Sequence, residues 1–214
     1  MPTEDTTVHR KPDRARYDRT TLDAILDEGL VCHVGFVANG RPFVIPTTYG
    51  RVGDDVYIHG SPASRMLRTL ADGVDACVTV TLVDAVVLAR SAFHHSLNYR
   101  SAVVVGRASV VEALAEKRAA LDSFVEHVVP GRTSDARAPS DKELRSTLVL
   151  RLAIAEASAK VRTGGPIDDD EDLGLPIWAG ELPLKVVAGP PVADDGVMAM
   201  LPDYVATYAR GANA

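Results

Sequence analysis

Two adjacent histidines, His94 and His95, stand in the stretch RSAFHHSLNYRSAVVVG, residues 90–106. Imidazole titrates near neutral pH, so the pair suits acid–base chemistry, metal binding or contact with a bound molecule. Neighbours on an extended segment point to opposite sides, and the nearest carboxylates in sequence are Asp84 and Glu112, so no metal site is predicted. Two hypotheses remain: a polar loop within the fold or a dimer interface, and one histidine facing a bound cofactor.

The stretch YIHGSPASRMLRTL, residues 57–70, combines a strand end with a predicted helix start. Ser61 is expected to cap that helix and Pro62 to take its first position. Free N–H groups at a helix start attract anions, and the guanidinium of Arg65 suits phosphate. The anion site predicted here comprises His59, Gly60, Ser61, Ser64 and Arg65. The alternative is a capped surface helix with a solvated arginine.

Three further places contain residue types that could contact a ligand. Pro46 lies inside the strand-like run RPFVIPTTYG, and proline in a strand indicates an edge, a bulge or backbone left free for a ligand. Arg100 leads into the next valine-rich run, and Lys160 lies near the end of the run EASAKVR. For each of these the alternative is a solvated edge or surface charge. The single tryptophan, Trp178, is more typical of packing than of a ligand platform.

The elements around these residues are mainly strands. Asn39-Gly40 between two β-type runs predicts a hairpin, because both residues tolerate positive φ. A helix is predicted over residues 21–28, capped by Thr20 and ended by Gly29, and the long run 76–92 predicts strands with a bend near residues 84–85. Residues 112–128 predict an amphipathic helix, and the spacing of Ser140 and Glu143 predicts a capping box.

Six or seven strands, mostly in hairpins, with two or three helices predict a mainly β fold. An antiparallel barrel with flanking helices fits this order better than a doubly wound sheet. The sequence holds neither G-x-G-x-x-G after a strand nor a P-loop motif, so dinucleotide and P-loop sites are not supported. We expect a flexible N-terminal arm at 1–14, one domain at 15–187 and a tail at 188–214.

Composition narrows the class of protein further. Of 214 residues, 46% are hydrophobic and 24% charged, as in ordinary soluble globular proteins, and the net charge of −6 argues against nucleic-acid binding through broad positive charge. The sequence shows no apolar run of 18 residues and no secretory signal, so we expect no membrane contact and a cytoplasmic location. Cys32 and Cys77 are expected to be buried free thiols, although the sequence leaves a disulfide open.

The order of these segments resembles the pyridoxamine 5′-phosphate oxidase-like FMN-binding split barrels. The similarity is greatest to the nitroimidazole-resistance-like, flavin-nucleotide-binding branch, and it covers about residues 15–187. The stretch HHSLNYRS together with the helix start GS-x-x-SR carries the specificity, since either motif alone is weak.

The resemblance implies a homodimer with FMN in a groove between the subunits. The flavin phosphate is expected at the turn from residue 59 to residue 65, and the isoalloxazine along the strand that follows residue 43. One of His94 and His95 is then expected near the flavin, as proton donor or substrate contact. The cofactor-binding residues implied are Val44, Ile45, Pro46, Thr47, Tyr49, His59, Gly60, Ser61, Ser64, Arg65, Met66, Arg100, Ser101, Lys160 and Trp178.

The chain departs from true pyridoxamine phosphate oxidases at two points. Met66 follows Arg65 where those enzymes have lysine, and their C-terminal motif with paired arginine and histidine is not evident. Oxidation of pyridoxamine phosphate is therefore not expected. The expected function is an FMN-dependent oxidoreductase acting on a small organic molecule. The alternatives are a flavin-binding sensor or store without turnover, and a barrel that uses haem or a deazaflavin in place of FMN.

Overall fold

The computed structural model describes residues 3–210, which form two antiparallel sheets with helices around them. The strands are β1 (Ala15–Arg16), β2 (Cys32–Ala38), β3 (Arg41–Thr47), β4 (Gly50–Val52), β5 (Asp55–Gly60), β6 (Asp75–Leu88), β7 (Ser96–Arg107), β8 (Ser109–Val110), β9 (Leu148–Ala153), β10 (Glu156–Arg162) and β11 (Gly180–Pro183). The α-helices are α1 (Arg19–Glu28), α2 (Arg65–Ala71), α3 (Leu114–Val128), α4 (Asp141–Ser146) and α5 (Asp203–Ala206).

The larger sheet has the strand order β1-β10-β7-β6-β2-β3, with β11 added to β6, and the smaller sheet has the order β4-β5-β9-β8. Each recorded strand pair is antiparallel. The predicted architecture, mainly β with flanking helices, is therefore confirmed. The two sheets share one buried core, and their outer faces and edges remain open to other groups.

The core is formed by every second side chain of the strands, because successive side chains point to opposite faces of a sheet. In β2 the side chains of Cys32, Val34 and Phe36 are buried, whereas the residues between them are more exposed. The two cysteines are free thiols, as predicted, and burial raises the pKa of Cys32 to about 12. Cys77 lies on the opposite, outer face of the sheet and is only partly buried, which corrects the expectation for that residue.

Several local signals act as the sequence predicts. Asn39 and Gly40 have φ values of 52° and 70° and join β2 to β3, which confirms the hairpin. Ser140 and Glu143 form the predicted capping box at α4. The run from residue 75 to residue 88 is one continuous strand, β6, and the expected bend is a β-bulge between Val83 and Ala85.

Two predicted helix starts are wrong, one by two residues and the other by three. Helix α1 is capped by Asp18, whose carboxylate accepts from Thr21 N–H at 2.8 Å, rather than by Thr20. Helix α2 begins at Arg65 with Ser64 as its cap, rather than after Ser61. In each case two residues able to cap the helix lie within three positions of each other. The sequence alone does not decide which of the two forms the cap.

Both terminal segments are attached to the barrel in the described part of the chain. Thr6 is buried, Thr3 donates to Glu156 at 3.2 Å, and β1 pairs with β10, so residues 3–14 are not loose. After β11 the tail is irregular up to α5, as expected. The first two residues of the predicted arm and residues 211–214 of the predicted tail lie outside the described residues. Within 3–210, no helix has the length and apolar character needed to cross a membrane.

Gly29, at the end of α1, gives a stability prediction. A Cβ added there would lie closer than 3.0 Å to Val80 Cγ1 and at 3.0 Å from the Tyr49 hydroxyl, both fully buried. Because the backbone φ is an ordinary −67°, the cost of Gly29→Ala is purely steric, and we expect a loss of about 1–3 kcal/mol of unfolding free energy. Urea denaturation measures it.

Gly35→Ala is the control for that experiment. An added Cβ at Gly35 meets its nearest atom, Cys77 O, at 3.5 Å, which is ordinary van der Waals contact. Equal losses in the two variants would show that the contact with Val80 does not set the effect, since the loss of backbone freedom alone favours the folded state.

Candidate functional site

The turn between β5 and α2 holds an arginine without a carboxylate partner among residues 3–210. Arg65 is exposed, and its guanidinium lies 4.2 Å above the centre of the Phe43 ring. The Ser64 hydroxyl oxygen accepts from the backbone N–H three residues on at 3.4 Å, and the Ser61 oxygen accepts from the N–H two residues on at 3.2 Å. The hydrogens of both hydroxyls are therefore free to donate to an anion held by Arg65.

Strand β3 is an edge strand, which explains Pro46. It pairs only with β2, so the missing N–H of proline breaks no ladder on its open side. Val44, with 65% of its surface exposed, and Pro46 point to the outer face of the sheet, whereas Ile45 packs toward the core and Thr47 is half-buried on that same side. Of the residues predicted to line the flavin ring, Val44 and Pro46 thus share the outer face, whereas Ile45 and Thr47 lie on the core side.

Tyr49, predicted to bind the cofactor, is a core residue. Its side chain is fully buried, and its hydroxyl donates to the carbonyl oxygens of Leu26 and, at 3.0 Å, Gly29. Burial raises the pKa of this phenol above its ordinary value. The side chain therefore fixes the end of α1 to the barrel and is not available to a bound ring. Met66 is also buried in the core.

Arg100 is held by carboxylates within the chain. Its guanidinium donates bidentately to Glu28 and to Asp84, and these two groups raise its pKa above the ordinary value, Glu28 most. The side chain joins α1, the bulge of β6 and the start of β7. The sequence predicts Arg100 at the flavin, but the geometry gives it this internal role.

Ser101 and Lys160 face each other across β7 and β10. The Lys160 ammonium donates to the carbonyl of Arg10 at 3.0 Å, so the N-terminal segment lies over it. Trp178 precedes β11, is 67% exposed and lies against Gly180. The flavin-binding roles predicted for these three residues stay predictions.

His94 and His95 lie on a short 3-10 turn, Ala92–His94, and its cap, rather than on an extended segment. His94 Nε2 is 3.0 Å from a carboxylate oxygen of Asp169, and His95 Nδ1 is 3.0 Å from the carbonyl oxygen of Ser91. A carboxylate 75 residues away in sequence thus reaches the pair, which corrects the expectation drawn from sequence neighbours. Across residues 3–210, no three His, Cys, Asp or Glu residues are grouped for a metal ion.

A cavity of about 520 Å³ lies between β5 and α3, and the sequence analysis did not predict it. His59 lines it, with its ring centroid 4.0 Å from that of Phe124, and its Nδ1 atom is buried without a hydrogen-bond partner. Burial lowers the pKa of His59, so the neutral ring is favoured. The sequence analysis assigns His59 to the phosphate turn, but the side chain of His59 faces α3 and does not contribute to that turn.

The other walls of this cavity are mainly apolar, with charged side chains of both signs among them, Asp122 and Glu143 as well as two arginines. Leu121, Val125 and Val128 recur at helical spacing on α3, and Arg132 and Arg137 come from the segment between α3 and α4. The sequence contains a pattern that could have indicated this cavity. Helix α3 carries these three apolar residues in addition to the buried Phe124, so its apolar surface is wider than packing against one sheet requires.

The two open antiparallel sheets define a flavin-binding split barrel. The chain belongs to the pyridoxamine 5′-phosphate oxidase family, whose model matches residues 18–161. No curated protein sequence shows significant similarity to it.

Solved structures similar to this chain include cofactor-binding proteins. The flavocytochrome Anf3 from Azotobacter vinelandii is 42% identical with a TM-score of 0.91, and the match covers 98% of this chain and 99% of that one. A protein from Mycobacterium smegmatis described as binding FAD and heme is 42% identical with a TM-score of 0.86, over 90% and 95% of the two chains. A 5-nitroimidazole-resistance-like protein from Bacteroides thetaiotaomicron is 26% identical with a TM-score of 0.57, over 69% and 86%.

Proposed function

We propose that this protein is a flavin-dependent oxidoreductase that acts on a small organic molecule, with the flavin held between two copies of the chain. The observation that carries the proposal is the free guanidinium of Arg65 beside two hydroxyl donors. Elsewhere in the described chain, arginines such as Arg51, Arg90 and Arg100 are held by carboxylates. A cation left unpaired next to hydroxyl donors fits the phosphate of a flavin nucleotide.

The outer face of β3 supports the same proposal. Val44 and Pro46 give an exposed apolar surface suited to a flat aromatic ring, and the open edge of the strand leaves backbone groups for hydrogen bonds. When bound, a flavin supplies reversible transfer of one or two electrons. The residues of this chain would position it and exclude water from its reactive face.

FMN is the flavin that the sequence predicts, whereas the relative from Mycobacterium smegmatis is described as binding FAD. Absorption spectroscopy of the purified protein tests for a flavin, and mass spectrometry of the released cofactor separates the two nucleotides. Turnover with a reduced nicotinamide and an artificial acceptor tests catalysis. A flavin-loaded protein that cannot be reduced by a nicotinamide or by a reduced redox protein would leave a sensor or store as the function. A colourless protein that binds no added flavin would overturn the proposal.

Arg65→Ala is expected to weaken FMN binding by about 1.5–3 kcal/mol, the size of a hydrogen bond to a charged group. The fold should survive, because the side chain is exposed and only its stacking on Phe43 is lost. Fluorescence quenching on titration of apo protein measures the affinity. Arg68→Ala, on the same helix and also exposed, is the control. Equal affinity in wild type and Arg65→Ala would remove Arg65 from the phosphate site.

The cavity between β5 and α3 favours a second cofactor, and we propose that it binds haem in addition to the flavin. The two relatives at 42% identity are a flavocytochrome and a protein described as binding FAD and heme. In this chain the supporting observation is the buried Nδ1 atom of His59, which has no partner in the fold. A buried polar atom without a partner is costly, and iron coordination would satisfy it if the ring turned this nitrogen toward the cavity.

The other residues of the cavity also fit a haem. Leu121, Val125 and Val128 offer an apolar wall for a porphyrin. Arg132 and Arg137 could pair with propionates if these displaced Asp135 and Glu143, the carboxylates that hold the two arginines within the chain. The neutral ring that burial favours at His59 is the form of imidazole that binds a metal. Haem added to the protein should give a Soret band that saturates at one haem per chain, with no loss of bound flavin. Weak, unsaturable absorbance would remove haem from the proposal and leave flavin binding intact.

A further inference from the structure

Residues 184–201, which we call the strap, make an exposed crossing between two anchored points of the chain. Each residue of the strap is exposed, and no regular secondary structure is formed along it. Its large apolar side chains are strongly exposed, including Val186 at 81%, Val192 at 92%, Met198 at 95% and Met200 at 89%. Apolar surface left in water costs about 25 cal/mol per Å². A run of apolar side chains as exposed as these therefore favours contact with another surface.

The strap is fixed at both ends within its own chain. At the start, β11 pairs with β6 and Leu184 N–H donates to the carbonyl of Asp84 at 2.9 Å. After the strap, Tyr204 donates to Asp135 at 2.7 Å and Tyr208 donates to the carbonyl of Val128 at 2.9 Å. The strap is therefore a closed crossing and not a linker, and whatever covers it must lie against the barrel.

Most of the strap has the composition of an interface centre. Residues 186–193, VVAGPPVA, and 196–201, GVMAML, contain no charged side chain, and the charges of the strap are confined to Lys185, Asp194 and Asp195. Interface centres are depleted of charge in this way. The match with the Azotobacter structure covers 98% of this chain and 99% of that chain, so the strap has a counterpart in a solved structure and belongs to the shared fold.

The outer face of the larger sheet carries exposed apolar side chains of its own. Val37, Val44 and Val83 are 55%, 65% and 43% exposed. The register of β2 with β3 and β6 places all three on the outer face of the larger sheet. In a two-fold symmetric dimer the strap of each copy can cover this face of the other, so that both uncovered surfaces are buried at once.

We infer that the strap clasps a second copy of this chain, across the outer face of β2, β3 and β6. This inference rests on the homodimer of the proposed function and names the segment that builds it. It also brings the strap next to Val44 and Pro46, where the flavin ring is proposed, so each copy contributes to the other's flavin groove.

Photo-crosslinking tests the contact directly. Benzoylphenylalanine is placed at position 192 or 198, and ¹⁵N-labelled and unlabelled proteins are mixed and equilibrated before irradiation. Mass spectrometry should find crosslinks between heavy and light peptides that join the strap to residues 32–47 or 75–88. Crosslinks confined to one isotope, or directed to other surfaces, would overturn the inference.

Charged substitutions give an independent measurement. Because the strap is exposed within its own chain, the double variant Val192→Asp, Met198→Asp should fold normally by circular dichroism, while its dimer dissociates at concentrations at least tenfold higher than wild type. Val52→Asp, on β4 and 42% exposed, is the control and should keep the wild-type mass of about twice 22.8 kDa. A dimer unaffected by the strap variant would overturn the clasp but leave the shared groove. A flavin-loaded wild-type monomer would overturn both while leaving flavin binding.

Discussion

Replacing His59 by alanine is expected to abolish the haem Soret band while leaving bound flavin at the wild-type level. The ring of His59 lines the cavity between β5 and α3, and its Nδ1 atom is the one nitrogen in the lining that is buried without a partner in the described chain. Without that nitrogen, no described histidine of the lining remains to coordinate iron, and affinity should fall by about 100-fold or more, which corresponds to about 2.7 kcal/mol. Spectrophotometric titration with haemin measures the loss.

His9→Ala, in the exposed N-terminal segment, is the control for removal of a histidine. Chemical rescue separates ligation from structural support: in a His59→Gly variant, added imidazole should restore the Soret band, because the free ring can occupy the vacated space. A His59→Ala protein that binds haem as tightly as wild type would show that another group coordinates the iron.

The second large effect is expected at Arg100. Arg100→Met should lower the unfolding free energy by about 3 kcal/mol, because Glu28 and Asp84 would then lie half-buried with no counter-ion. The side chains of the three residues are 19–33% exposed, so solvent reduces the effect below that of a fully buried cluster. Urea denaturation at neutral pH measures it.

Arg107→Met is a matched control on the same two strands. Arg107 pairs with Asp75 across β7 and β6, but both side chains are about seven-tenths exposed, so little change is expected. Replacing both carboxylates by amides in the Arg100→Met background should recover part of the lost stability, since no charge is then left unpaired. Equal losses in the Arg100 and Arg107 variants would contradict the internal role of Arg100.

The sequence was informative where the determinants are local. Asn39-Gly40 needs only positive φ, and the Ser140–Glu143 box needs only a spacing of three, so both were predicted from neighbouring letters. The family and the split barrel were likewise readable, because the order of several motifs is fixed by the strand order. The edge position of Pro46 was one of the three possibilities that proline chemistry leaves open, and the strand order decides between them.

What the sequence could not give depends on distant chain segments. His94 meets Asp169 across 75 residues, and no spacing rule connects them. The direction of His59 is set by packing against Phe124, so a residue assigned to the phosphate turn proves to line the cavity instead. Tyr49 and Arg100 are residue types common in binding sites, but burial in one case and two carboxylates in the other fix them within the fold.

The contacts of Arg210 have a consequence for synthesis on the ribosome. Its guanidinium donates to the carbonyls of Asp27 and Glu28, the latter 182 residues earlier in the chain. The β6–β7 hairpin, by contrast, closes through residues 89–95 and is complete once half of the chain has been made. Local pairs form early and distant ones late, so Arg210 should reach the carbonyls of Asp27 and Glu28 only at the end of synthesis, although Tyr49 already ties the end of α1 to the barrel. A helix near the beginning of the chain is thus among the last elements to be completed.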